Sequence, residues 1–178
     1  MICTYPDILG VVLAGGQSSR MGQNKALMVY QGETWIQRMM NVLAELGTGR
    51  QMISGTLAAY DGVPDNVPHA GPGKAMIDII RRFPEYQGYL FLPVDMPYLE
   101  ASILSHLLSV PSGAYFRSSP LPAYISQRTD IQKIESDRVK DILNATGAIS
   151  LEMPKGQESK LTNVNTPEAW EKVRRHEY

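Results

Sequence analysis

Within "GVVLAGGQSSRMGQNKAL", Gly10 to Leu27, two adjacent glycines, Gly15 and Gly16, follow an apolar run, and Arg20, Gly22 and Lys25 come within the next nine positions. A strand that ends in glycines and returns through a helix points several backbone N–H groups at one spot. Glycine permits the close approach and positive φ that such a concave loop needs. The chemistry this suits is phosphate binding, with the arginine as a bidentate partner and the lysine as a point charge. Two familiar loops are excluded by spacing. A P-loop needs Gly-Lys-Ser/Thr in succession, whereas Gly22 is followed by Gln23, Asn24 and Lys25, and the G-x-G-x-x-G dinucleotide fingerprint is absent. A tight turn without a ligand is the competing reading. The two cations flanking Gly22 weigh against it.

The second group with chemical potential is Asp95, in "LFLPVDMPYLE". By itself, an aspartate two positions before a proline is a common turn residue. At the carboxyl end of a buried strand, on the sheet edge where open α/β folds hold ligands, its carboxylate also offers a hard oxygen to Mg²⁺. That ion is usually held by one or two carboxylates together with substrate phosphates. Asp65, in the loop before "HAGPG", reads equally as a second polar contact or as a solvated loop residue.

These groups need a scaffold, and the hydrophobic pattern supplies one. Ile8–Leu13 is a continuous, β-branched run suited to a strand buried on both faces. Thr34 to Leu46 places Trp35, Ile36, Met39, Met40, Leu43 and Leu46 at helical spacing, with Thr34 as N-cap and Gly47 as stop. "RQMISG" reads as a strand, "GKAMIDIIRR" as a helix, "GYLFLPV" as a strand and "ASILSHLLS" as a helix. This alternation predicts an α/β fold, a Rossmann-like three-layer sandwich with a mostly parallel central sheet. Beyond Pro111, "GAYFR", "LPAYIS" and "AISLEM" are strand candidates, and "TDIQKIESDRVKDILNAT" is expected to be helical in one or two pieces. Thr166 as N-cap, Pro167 at the first helical position, and Lys172, Arg174 and Arg175 at the negative end mark a terminal helix. With no linker or repeat, residues 1–178 are expected to form one domain.

Composition narrows the partners. Seventeen basic and eighteen acidic residues give a net charge of −1, so no global field draws the chain to nucleic acid or to an anionic membrane, and any anion must be held locally. The single cysteine, Cys3, excludes an internal disulfide framework and a thiolate metal cluster and fits a reducing cytoplasm. Asp7 interrupts an N-terminal apolar run too short for a signal peptide or a membrane span.

"LAGGQSSRMGQNKAL" resembles the nucleotide-binding signature of the molybdenum cofactor guanylyltransferases, and three later segments fall in that family's order. "HAGPGKAM" resembles its glycine-proline segment, "LPVDMPYL" its metal-binding aspartate segment and "NVNTPEAW" its asparagine-rich C-terminal turn. The resemblance implies that Leu13, Ala14, Gly15 and Gly16 contact a nucleotide, with Gly22 in the same loop, and that Arg20 and Lys25 contact its phosphates. It further implies that Asp65 and Gly71 hold base or ribose, that Asp95 binds Mg²⁺, and that Asn163 and Asn165 face a pterin. Ala14-Gly15-Gly16 is similar to the guanylyl form of the loop, which implies GTP. The reaction implied is transfer of GMP to molybdopterin, with a molybdoenzyme or another cofactor-biosynthesis protein as recipient of the product. Lys25, Arg20 and Asp95 would carry the catalysis. Alternatives are a transferase using CTP or a sugar phosphate, or a non-catalytic module that binds nucleotide and delivers cofactor. The chain departs from the family's pattern at "GPGKAM", where Gly73, Lys74 and Ala75 replace the usual leucine-alanine-glycine.

Overall fold

The computed structural model describes residues 4–15, 24–57, 60–66, 70–127, 131 and 134–175. In chain order the elements are β1 (Tyr5–Leu13), a 3-10 turn (Lys25–Leu27), β2 (Val29–Tyr30), β3 (Glu33–Thr34), α1 (Trp35–Leu46), β4 (Thr48–Ser54), β5 (Gly62–Val63), α2 (Pro72–Arg82) and β6 (Gly88–Pro93). There follow α3 (Ala101–Leu108), β7 (Gly113–Phe116), β8 (Ser119–Ser126), α4 (Val139–Ala145), β9 (Ile149–Leu151), a 3-10 turn (Glu158–Leu161) and α5 (Pro167–Arg174). Seven strands form one sheet in the order β5-β4-β1-β6-β8-β7-β9. Neighbours pair in parallel except at β8, which runs antiparallel to both β6 and β7. The carboxyl ends of β1, β4, β6, β7 and β9 therefore share one sheet edge.

Two-residue alternation sorts side chains onto the two faces. Val12, Leu90, Leu92, Ala114 and Phe116 point into a core completed by Ile36, Met39 and Leu43 of α1 and by Ile103, Leu104 and Leu107 of α3. Leu9, Val11, Tyr89, Phe91 and Ile125 point into the opposite core, against Met76, Ile79 and Ile80 of α2 and Ile142 and Leu143 of α4. All six residues of β6 are buried, as a strand covered on both faces requires; each large side chain among them contributes roughly 1.5–3 kcal/mol by leaving water. This is the expected three-layer, Rossmann-like sandwich with a mostly parallel sheet.

The predicted caps form. The Thr34 hydroxyl accepts from the Gln37 amide at 3.3 Å, and Gly47 ends α1 with φ of 70°. The Thr166 hydroxyl accepts from the Ala169 amide at 3.2 Å at the start of α5. Among the described residues no helix is long and apolar enough to cross a membrane.

The expected helix in "TDIQKIESDRVKDILNAT" is present as α4, which starts at Val139, and Ile131 ahead of it has 3-10 conformation. Residues 134–138 run without helix ahead of it, and Thr129, Asp130, Gln132 and Lys133 lie outside the described residues. The backbone there presses on α2: a Cβ on Gly73 would lie 1.9 Å from the Asp137 carbonyl oxygen. Ser136 supplies a local alternative to helix, accepting from the Arg138 amide at 3.2 Å and donating to Asp141 at 2.7 Å.

Candidate active site

At the end of β1 the backbone turns across β4: the amides of Ala14 and Gly15 both donate to the Ser54 carbonyl, at 2.9 and 3.1 Å. This crossing admits only small residues. A Cβ on Gly55, whose φ is 121°, would lie 2.7 Å from the Gly15 nitrogen, and a Cβ on Gly15 would lie 2.3 Å from Asp65 Oδ2. Asp65 is fixed in turn by the Ser54 hydroxyl, which donates to Oδ1 at 3.0 Å. Asp65 is thus no freely solvated loop residue; it braces the start of the glycine loop. Gly16, Arg20 and Gly22 lie outside the described residues.

The chain is described again from Asn24, whose side chain accepts from the Ala26 amide at 3.0 Å and caps the 3-10 turn that carries Lys25. Ala26 is fully buried and anchors that turn in the core. From the other side, β6 delivers Asp95 two residues beyond its last position. Lys25 Nζ lies 3.3 Å from Asp95 Oδ2 and also donates to Asn165 Oδ1. The C-terminal turn is docked by its backbone as well, the Val164 amide donating to the Asp95 carbonyl at 2.9 Å. Three segments far apart in sequence thereby meet at one ammonium group.

Beside this group is a cavity of about 260 Å³ whose lining includes Leu13, Ala14, Gly15, Lys25, Asp95 and Asn163. Pro72, at the first position of α2, completes one wall, so the positive end of that helix dipole faces the cavity rim. Gly71 is the N-cap, with φ of 91°. Neither it nor Asp65 is among the lining residues. Lys74, where the family's pattern is broken, pairs with Asp78 on its own helix at 3.2 Å.

Burial pushes the Asp95 carboxyl above its ordinary value, and the Lys25 charge and hydrogen bond pull it partly back. The two side chains are only 18% and 15% exposed. A carboxylate so desolvated is a strong ligand for any cation that reaches it. Among the described residues no group of three or more His, Cys, Asp or Glu gathers to hold a metal by itself. Asp95 therefore offers one hard oxygen, which fits an ion that keeps several ligands from water and substrate phosphates.

Several contributors carry no sequence signal of function. Asn24 is an ordinary cap in a polar stretch, and Leu121, a cavity wall, belongs to the antiparallel β8. Arg38 on α1 donates through Nε to the Pro97 carbonyl, just past Asp95, and through a second nitrogen to Glu33 at 3.1 Å. Only the helical phase of α1, which turns Arg38 toward the loop after β6, discloses that role.

Comparison with known proteins adds lineage to this geometry. A molybdenum cofactor guanylyltransferase of Xanthomonas euvesicatoria pv. vesicatoria (strain 85-10) is 29% identical, aligned over 92% of this chain and 93% of its own. The crystal structure of molybdopterin-guanine dinucleotide biosynthesis protein A from Archaeoglobus fulgidus superposes with a TM-score of 0.71 at 17% identity, covering 94% of this chain and 97% of that one. A Mycobacterium tuberculosis H37Rv protein solved in complex with manganese superposes with a TM-score of 0.66 at 16% identity, covering 94% and 98%. These two likenesses concern the fold. The profile of the MobA-like NTP transferase domain matches residues 10–128, which contain the glycine loop, Lys25, Asp65 and Asp95, and the chain belongs to that family.

Proposed function

We propose that the protein is a nucleotidyltransferase that moves GMP from GTP to the terminal phosphate of molybdopterin, releasing pyrophosphate and leaving a guanine dinucleotide form of the cofactor. The observation that carries this reading is the meeting of Lys25, Asp95 and Asn165 beside the loop that begins at Leu13. A phosphate loop, a buried carboxylate and a polar turn at one point are what joining two phosphorylated substrates requires.

The acceptor phosphate is already an anion at neutral pH, so its oxygen attacks the α-phosphorus of GTP without a general base. The bond from the α-phosphorus to the bridging oxygen of the leaving pyrophosphate breaks as the new bond forms. Lys25 offsets charge on the phosphates as it shifts toward the leaving group, and Arg20 is assigned the same task from the resemblance. Asp95 and the substrate phosphates would hold a divalent cation, Mg²⁺ in this reading, which supplies charge neutralisation and alignment of the reacting oxygens. Lys25, on the cavity lining between Asp95 and Asn165, would meet the phosphates of a nucleotide bound there. The resemblance assigns Gly15, Gly16 and Gly22 to the loop that holds the nucleotide, and Gly15 lines the cavity. Asp65 keeps the cradle's entry fixed, and Gly71 sets the start of α2 at the base and ribose side. Asn163 and Asn165 stand on the acceptor side of Asp95.

The test is incubation with molybdopterin, Mg²⁺ and each nucleoside triphosphate in turn, with the product identified by mass. The expected product is the guanine dinucleotide, from GTP alone. A cytosine dinucleotide, or nucleotide binding without pyrophosphate release, would replace this reading with a cytidylyltransferase or a delivery module.

A further inference from the structure

A second cavity, of about 290 Å³, opens on the same sheet edge. It is lined by Ser118 from the β7–β8 turn, Ser119 at the start of β8, Glu152 and Met153 after β9, and Glu158 and Thr162 around the 3-10 turn Glu158–Leu161. The first cavity spans the ends of β1, β6 and β8; the second spans the ends of β8, β7 and β9. One short segment joins them, since Leu161 and Thr162 line the second and Asn163 lines the first. From the end of β6, which carries Asp95, to the end of β9 is three strand spacings, on the order of 14 Å. A fused heterocycle with a phosphorylated arm can bridge that span.

The character of the second cavity restricts its occupant. Two carboxylates and three hydroxyls face it, and none of its described lining residues is basic. Lys160, on the same 3-10 turn, is tied to Glu100. Arg117 pairs with Glu152 at 2.5 Å, but a carboxylate has about four acceptor positions, so the pair leaves acceptor capacity over. With Arg117 offsetting the charge of Glu152, Glu158 leaves the lining net negative, which disfavours a phosphate. A ring rich in N–H donors would be held, lying against Met153 and Leu161. Resting on the guanylyltransferase reading, we infer that this cavity takes the amino-pyrimidinone edge of the acceptor's pterin, with Glu152 and Glu158 accepting from its ring and exocyclic N–H groups. The net negative charge left by Glu158 turns the acceptor's phosphate end toward Lys25. Asn163 and Asn165 then stand at the junction, beside the acceptor's phosphate arm, and the pterin ring lies one cavity further along the edge.

Guanine presents the same amino-pyrimidinone edge, so the experiment must separate acceptor from nucleotide. Neopterin, a pterin without phosphate, is titrated by its own fluorescence, and GTP by calorimetry, against the native protein and against Glu152→Gln, Glu158→Gln and the double variant. Both glutamates are exposed, so melting curves should match. The expected result is saturable neopterin binding, weakened roughly tenfold or more in the double variant through loss of charge-assisted hydrogen bonds, with GTP affinity unchanged. In the transfer assay KM for molybdopterin rises while kcat at saturation holds. Equal neopterin binding by native and double-variant protein, no saturable binding at all, or a loss of GTP affinity in its place would overturn the inference. A native protein that binds neopterin in this way but forms no dinucleotide would refute the transferase reading and leave the cavity assignment standing.

Discussion

Replacing Lys25 with methionine keeps the length of the side chain and removes the charge that faces Asp95. At 3.3 Å, with an effective dielectric constant near 20, the gross attraction is about 5 kcal/mol. Much of that offsets the cost of taking both charges out of water, and a net coupling of about 1–2 kcal/mol is the expected remainder for a pair this far buried. The clean measurement is a double-mutant cycle of Lys25→Met, Asp95→Asn and both, followed by urea unfolding without nucleotide or metal. Lys25→Met should destabilise more than the double variant predicts by addition, because it leaves a buried carboxylate without its cation. The pH dependence has a defined sign. Asp95 is raised in the folded state, by burial first, so the native state holds its proton more tightly than the unfolded chain does, and stability falls as pH rises from the ordinary carboxylate range through the raised value. Removing Lys25 raises Asp95 further. The deficit of Lys25→Met relative to the native protein should therefore be largest at neutral pH and shrink as acid protonates Asp95. A coupling within the usual additivity error of about 0.3–0.5 kcal/mol, or a deficit that persists unchanged at low pH, would refute the claim that these two charges sustain each other.

Gly55→Ala forces a methyl into the crossing of β4 with the glycine loop at a positive φ; a loss of about 2 kcal/mol or more and weaker GTP binding are expected, read by melting and calorimetry. Arg38→Met removes the donors to Pro97 and Glu33. It should raise the metal concentration needed for half-maximal turnover while leaving GTP affinity near its native value, as metal titrations at saturating GTP would show. Tyr89 is pushed up to about 12 by burial, with the nearby Glu85 charge adding to it. The folded state therefore keeps its phenol protonated, and the stability this contributes, present below the unfolded value near 10, is lost as pH rises through that window. Tyr89→Phe, which gives up a hydrogen bond of 2.8 Å to the Phe83 carbonyl, should cost about 1 kcal/mol and flatten that alkaline dependence.

The parallel half of the sheet is legible in the sequence because its strands are buried on both faces and read as unbroken apolar runs; Ile8–Leu13 and "GYLFLPV" come out within a few residues of β1 and β6. The caps of α1 and α5 are legible for an equally local reason, since a threonine hydroxyl meets an amide three residues on. The hairpin of β2 and β3 and the edge strand β5 escape detection, because two-residue strands have no periodicity. The start of α4 at Val139 is not legible locally, because the non-helical residues 134–138 ahead of it are set by the close approach of Asp137 to Gly73 of α2, a contact between distant segments. For the site, residue types disclose Lys25 and Asp95 but not their mutual contact, which depends on the register of β1 with β6. Nothing local reveals that Asn165 reaches Lys25, or that Asp65 braces Gly15 and is not simply solvated: both are contacts between distant segments.

The central claim, transfer of the α-phosphoryl nucleotide to a pterin phosphate, is tested most directly by label. GTP labelled at the α-phosphorus, GTP labelled at the γ-phosphorus and molybdopterin are incubated with the protein and Mg²⁺, and the products are separated. The predicted result is α-label in the pterin dinucleotide and γ-label in pyrophosphate alone, both abolished together in Asp95→Asn. Label from the γ-position in the pterin product, α-label that stays in free GTP or GDP, or full transfer by Asp95→Asn would contradict it.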